Sequence, residues 1–303
     1  MIESDHNRAA AARWQESGES LFMANRSSAT FDEIRSSVQR LKMKIPIFQV
    51  DAFTSKVFSG NPAAVCLLDE WISDSALLAI AAENNLSETA FVVQSGAGVE
   101  LRWFTPRVEV ALCGHATLAA ASVLFELQGW PEGRICFETR SSGQLIVEKK
   151  DKLFEMDFPA RPPDREIAIA GFNEMIGTVP AKVLGSQEDV FVVLDEEKSV
   201  RELRPDIAAL AGLKCRGIIV TAKGECGDFV SRFFAPSVGV DEDPVCGSAH
   251  CVLIPYWAEQ LQKKTLHALQ VSMRGGEIFC EDRGERVGIA GEAALYMRGI
   301  ITI

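Results

Sequence analysis

The chain has 303 residues, with Lys plus Arg at 31 and Asp plus Glu at 42, a formal charge of −11. An acidic surface repels nucleic acid and anionic membrane, and 47% hydrophobic against 24% charged residues is ordinary globular composition. No uninterrupted apolar run approaches the ~18 residues of a bilayer span, and the opening MIESDHNRAAAARWQ has no apolar secretory segment. We therefore expect a soluble, cytoplasmic protein with no nucleic-acid or membrane partner.

Residues 1–43 read as an N-terminal extension. Thr30 and Glu33 form a capping box, and Phe31, Ile34, Val38 and Leu41 follow at helical spacing, so one amphipathic helix over 31–42 is expected. The working fold begins at Lys44. IPIFQVDAF, AAVCLLD, AFVVQS and VELRWFT have the composition of strands. SDSALLAIAAEN and ATLAAASVLFEL read as helices, the first capped by Ser73 or Asp74 and the second opening at Gly114-His115.

An internal repeat organises the rest. RWFTPRVEV (102–110) matches RFFAPSVGV (232–240), with Arg, Phe, Pro, Val and Val at identical offsets. Cys113-Gly114-His115-Ala116 is then answered by Cys246-Gly247-Ser248-Ala249, each running into a helix of similar length. FETRSSGQLIVE matches VSMRGGEIFCE after those helices, and VCLLDEW echoes VVLDEEK before them. Four matches in one order make the chain two copies of one α/β unit. We place the first over 44–163 plus about 291–303, and the second over 164–290.

Duplication predicts a cleft between the copies, into which two helix N-termini point. Their free N–H groups and dipoles would receive a carboxylate, so a small carboxylate-bearing metabolite is the expected partner. Departures from the repeat are candidate chemistry. Glu88, just before a strand, aligns with Arg216, and Asp241-Glu242-Asp243-Pro244 includes three residues the first copy lacks. A desolvated carboxylate beside a helix mouth can be a general acid or base, although a helix cap or a solvated loop charge would use the same residues.

Cys113 and Cys246 stand at equivalent helix N-termini, a location that favours the thiolate and would suit a two-base epimerisation. Small buried residues kept for packing would look the same in sequence. The other six of the eight cysteines form no CxxC pair, and four dispersed histidines give no metal set, so no metal is expected. Ser248 and His250 lack a G-x-S-x-G elbow, and G-x-G-x-x-G and P-loop motifs are missing, so no nucleotide cofactor is expected.

QVDAFTSKVFSGNPAAV, NLSETAFV, RWFTPRVEVALCGHATLAAA and RFFAPSVGVDEDPVCGSAH together resemble the PhzF (phenazine-biosynthesis-like) family, within the diaminopimelate epimerase-type fold. The resemblance covers 44–303. It implies two pseudosymmetric α/β (α+β) domains, each a curved, mostly antiparallel sheet or barrel around a central helix, and usually a homodimer. It also implies cofactor-free isomerase chemistry, as when dihydro-3-hydroxyanthranilate is isomerised by carrying a proton from carbon to carbon. The acid/base glutamate of the family falls on Glu88, its histidine on His115, its aspartate on Asp243 and its helix-mouth serine on Ser248. Ser248, Asp243 and the backbones of Gly114 and Gly247 would hold the carboxylate and amino groups of the substrate.

The phenazine enzyme lacks the cysteine pair, whereas Cys113 and Cys246 match diaminopimelate epimerase. The Cys-Gly-Asn-Gly motif of that enzyme is changed here to His115 and Ala116, and its second final glycine to Ala249. Three readings therefore stand at this point: a Glu88 isomerase, a two-cysteine epimerase or racemase, and a non-catalytic metabolite-binding protein.

Overall fold

The first strand, β1 (Lys44–Ala52), shows how the layers are built, because its alternate side chains enter different cores. Ile45 and Ile47 face an outer cluster with Leu77 and Ile80, while Phe48 and Val50 face the central one. This computed structural model describes residues 43–96 and 98–303. Residues 1–42 of the extension, with the helix expected over 31–42, lie outside the described residues. Residues 45–301 form one compact unit.

Seven further strands complete the first half. They are β2 (Asn61–Leu68), β3 (Glu88–Ser95), β4 (Gly98–Phe104), β5 (Glu109–Val110), β6 (Arg134–Thr139), β7 (Gln144–Lys150) and β8 (Leu153–Pro159). Helix α1 (Asp74–Asn84) precedes β3, and α2 (Gly114–Leu127) follows β5. Ser73 caps α1 by accepting the N–H of Ala76 at 3.3 Å, which decides between the two cap candidates.

The second half repeats the scheme. Its strands are β9 (Arg165–Glu166), β10 (Lys182–Gly185), β11 (Asp189–Val193), β12 (Gly217–Lys223), β13 (Phe229–Ala235), β14 (Val240–Asp243), β15 (Thr265–Gln270), β16 (Gly276–Asp282), β17 (Arg286–Gly291) and β18 (Ala293–Thr302). Short helices α3 (Phe172–Ile176), α4 (Glu197–Glu202) and α5 (Ile207–Ala211) cover its outer face, and α6 (Gly247–Leu261) follows β14.

Pairing is the same in both halves. β2–β3 and β4–β6 are parallel, as are β11–β12 and β13–β15, while the remaining registers are antiparallel. β8 pairs with β17 antiparallel, which joins the halves in one sheet. β9, just after β8, pairs with β10, and β18, just after β17, pairs with β1, so these two strands take matching places in the repeat. The fold is thus two pseudosymmetric halves of one curved, mostly antiparallel sheet, each half around a central helix.

The central helices are α2 and α6. A helix that is apolar all round must be enclosed, and every residue of α2 from His115 to Phe125 is buried. Ala119, Ala120 and Ala121 keep it slim enough for the sheet to wrap it. The central core runs continuously across both helices, from Leu118 and Leu124 to Val252 and Leu253.

Repeated residues pin the strands leading into these helices. Arg102 on β4 grips Glu109 with two bonds of 2.7 and 2.8 Å, and Arg232 on β13 grips Glu242 with the same two lengths. Each guanidinium lies over a phenylalanine of its own strand, Phe104 at 5.0 Å and Phe234 at 4.8 Å. These bidentate pairs fix β5 and β14, and so fix the two helix mouths. No helix of the described residues is long and apolar enough to cross a membrane.

Leu118 is wholly buried where α2 meets its sheet. Leu118→Ala should cost about 2–5 kcal/mol in urea unfolding, from lost burial plus the cavity left behind.

Candidate active site

Both helix mouths begin with a cysteine in extended backbone conformation. Cys113 caps α2 and Cys246 caps α6, and neither side chain closes off the first-turn N–H groups of its helix. The mouths adjoin, since a Cβ added to Gly114 would lie 3.9 Å from the Cα of Gly247. Around them opens a cavity of about 530 Å³, lined among others by Glu88, Cys113, His115, Arg216, Asp243, Cys246 and Ser248. Glu88, Cys113, Gly114, His115, Asp243, Cys246, Gly247 and Ser248 therefore reach one cleft, whereas Asp241, Glu242 and His250 do not line it.

On one wall, Glu88 opens β3. Its Oε2 is 3.3 Å from Nε2 of His115, although the imidazole is not aligned as a hydrogen bond to it. Nδ1 of the same ring is 3.5 Å from Sγ of Cys113 and 3.2 Å from Nδ2 of Asn61. Asn61, the first residue of β2, also donates to Oδ1 of Asp243 at 2.7 Å and to the carbonyl of Val245 at 2.9 Å. Asp243 is thus neither a cap nor a solvated loop charge, because it is tied into the site.

Arg216, the repeat equivalent of Glu88, also lines the cleft. It pairs bidentately with Asp189, through Nε at 2.9 Å and a second short bond from Nη2, and donates from Nη1 to Oγ of Ser248 at 2.8 Å. Ser248 in turn lies 3.2 Å from Sγ of Cys246. Asp189 is the first residue of β11 and Asn61 the first of β2, so these partners occupy matching places. The equivalent positions differ chemically: one half carries an acid and an imidazole, the other a guanidinium and a hydroxyl.

Burial sets the protonation of these groups. Loss of water pushes the Glu88 carboxyl up; His115 pulls it down, Asp243 pushes it further up, and a Cys113 hydrogen bond pulls it down. Burial pushes Asp243 up to about 6, against hydrogen bonds from Cys246, Val245 and Asn61. It also lowers His115, although the Glu88 carboxylate favours the charged ring.

The thiols move the other way from expectation. Burial raises Cys113 well above an ordinary thiol, reinforced by the Glu88 carboxylate, and burial with Asp243 raises Cys246. Desolvation and neighbouring carboxylates outweigh the helix N-termini, so the expectation of favoured thiolates is corrected.

His250 has a structural task. Its Nδ1 lies 2.7 Å from the carbonyl of Cys246, an acceptor, so the proton sits on Nδ1. Burial lowers this imidazole to about 4. Thr117 occupies the matching place in α2 and donates to the carbonyl of Cys113 at 2.6 Å. Both mouths are thus braced from one turn below, and Ser248 and His250 form no catalytic pair.

Glu88, Cys113 and His115 offer an oxygen, a sulfur and a nitrogen within 4.8 Å of one another, the donor set of a borderline divalent ion. Such an ion would need the Cys113 proton removed, against the burial that holds it on.

Sequence reading missed Asn61 and Arg216 as site residues. Asn61 stood inside SGNPAAV, and Arg216 was the residue aligned with Glu88. The signal was present, but only spatial contact gave it meaning.

A family model described as phenazine biosynthesis-like protein matches residues 50–299. An uncharacterized isomerase of Pseudomonas aeruginosa is 55% identical over 261 residues, covering 86% of this chain and 100% of its own length. The chain belongs to the phenazine biosynthesis-like family. A crystal structure of a PhzF-family phenazine biosynthesis protein from Enterococcus faecalis is 45% identical, with a TM-score of 0.84 over 86% of this chain and 100% of that one. A hydroxyproline epimerase from Agrobacterium vitis, solved with trans-4-hydroxy-L-proline, gives a TM-score of 0.58 at 10% identity. It covers 86% of this chain and 92% of that one, and carries the fold alone.

Asp243 gives a pH test. Its folded pKa lies above the ordinary value of 3.8, so the folded state holds a proton that the unfolded chain has released, and stability from this group falls as pH rises from about 4 through 6. Asp243→Asn removes that loss. In urea unfolding, the stability of the variant relative to wild type should rise by about 2–3 kcal/mol between pH 4 and pH 7. The paired difference cancels the opposite contributions of His115 and His250.

Proposed function

We propose that this chain is a cofactor-independent isomerase that moves a proton from carbon to carbon on a small amino- or hydroxy-carboxylate, with Glu88 as general acid and base. The observation that carries this reading is the placement of Glu88. It is mostly buried on the cleft wall, pushed toward its neutral form and 3.3 Å from His115. A carboxyl so placed takes and returns a proton near neutral pH at similar cost in both directions. The isomerase name of the Pseudomonas relative supports the same class.

In this mechanism the first-turn N–H groups at Gly114 and Gly247, with the hydroxyl of Ser248, bind the substrate carboxylate. Glu88, as carboxylate, accepts the proton as the C–H bond breaks, and the electron pair spreads into the conjugated system of the substrate. Glu88 then delivers the proton to a second carbon, where the new C–H bond forms. Nothing is oxidised or reduced. His115 orients Glu88 and compensates its charge, and Asp243, held by Asn61, receives the amino or hydroxyl group.

Glu88→Gln should lower kcat/KM by about 10³-fold or more, within the range general acid–base groups supply. The check is proton NMR in D₂O with dihydro-3-hydroxyanthranilate and a panel of amino acids. Full turnover in this variant would sink the assignment. Dialysis against a chelator should leave the wild-type rate unchanged; loss of rate restored by a divalent ion would instead implicate the Glu88–Cys113–His115 set.

A second reading rests on the equivalent positions of Cys113 and Cys246 in the same cleft. It requires deuterium to enter an amino-acid α-carbon only when both thiols are present. On the Glu88 reading, Cys113→Ala and Cys246→Ala keep measurable isomerisation. Ligand-dependent stabilisation with no exchange in any compound would indicate a binding protein.

A further inference from the structure

Pro255 stands inside α6, and a proline has no N–H to offer the carbonyl four residues back. That carbonyl belongs to Cys251, and the backbone N–H of Arg161 donates to it at 2.9 Å. Arg161 lies on the connection from β8 to β9, which Ala160 also ties down by donating to the carbonyl of Glu285 at 2.9 Å. The gap that Pro255 leaves in one helix thus docks the connection between the two halves on the cleft wall.

From there the Arg161 side chain lines the cavity beside Cys251, and its charge opposes the burial that raises the Cys251 thiol. The other cation on this wall is already balanced. Arg216 is paired with Asp189, and Glu188 lies 3.7 Å from it. Arg161 is half-buried and has no ion pair or side-chain hydrogen bond among the described residues. A partly desolvated, unpaired guanidinium that lines a ligand cavity from a tethered backbone is suited to a bidentate carboxylate.

The backbone of Arg161 docks at Cys251, one turn of α6 below Gly247, and its side chain lines the same cavity of about 530 Å³ as the helix mouths. A ligand with one carboxylate on the helix mouths would present a second one to Arg161 across a short spacer.

We propose that the substrate of this cleft is a short dicarboxylate whose second carboxylate is held by Arg161. The proposal rests on the helix mouths as the site of the first carboxylate, as in the isomerase reading above.

The test is isothermal titration of the full chain with matched acids: succinate, glutarate and adipate against butyrate, pentanoate and hexanoate. At one or more chain lengths the dicarboxylate should bind at least tenfold tighter than its monocarboxylate. Arg161→Gln should abolish that difference, and Arg161→Lys should restore part of it. The melting temperature of each ligand-free variant checks that the chain still folds. Equal binding of the paired acids at every length would overturn the proposal, as would a preference that survives Arg161→Gln. Either result leaves the isomerase reading standing, because that reading falls only if Glu88→Gln retains proton transfer.

Discussion

The side-chain amide of Asn61 is the joint on which the cleft depends. It leaves the first half at the start of β2, and its nitrogen lies between Oδ1 of Asp243 and the carbonyl of Val245, both in the second half. Two acceptors oblige the amide nitrogen, and not its oxygen, to face them. The same nitrogen approaches His115, so one group sets the spacing between an imidazole of one half and a carboxyl of the other. Oδ1 of Asn61 is buried and makes no hydrogen bond among the described residues. An unmet acceptor of this kind costs stability, a cost that well-formed cores avoid.

Around that joint, one physical effect does opposite things to two kinds of acid. Withdrawal of water raises both carboxyls and thiols. For Glu88 and Asp243 the change starts far below neutrality and moves them toward the range where a proton can be both taken and returned. For Cys113 and Cys246 it starts above neutrality and moves them away from that range. The same enclosure therefore moves the carboxyls toward neutrality and holds the thiols in their protonated form, despite their place at helix N-termini.

Symmetry supplies the frame and asymmetry the chemistry. Arg102 with Glu109 and Arg232 with Glu242 hold matching strands, while Thr117 and His250 brace matching carbonyls. Between these equal supports the equivalent positions diverge: Glu88 and His115 in one half answer to Arg216 and Ser248 in the other. The cleft is therefore chemically asymmetric although its frame is symmetric.

The sequence by itself determined the duplication, several of its strands and helices, and the candidacy of Glu88, Asp243 and the two Cys-Gly steps. These follow from local patterning and repeat offsets that survive in one dimension; His115 entered through the family resemblance. The sequence did not determine whether the thiols ionise, because that depends on how much water the folded cleft excludes. Nor did it assign roles to Asn61 and Arg216, whose partners lie 182 and 27 residues away at Asp243 and Asp189. Arg161 was silent in the sequence for the same reason. Its position follows from a carbonyl that Pro255 leaves unbonded in a helix 90 residues on, a relation that only the tertiary structure creates.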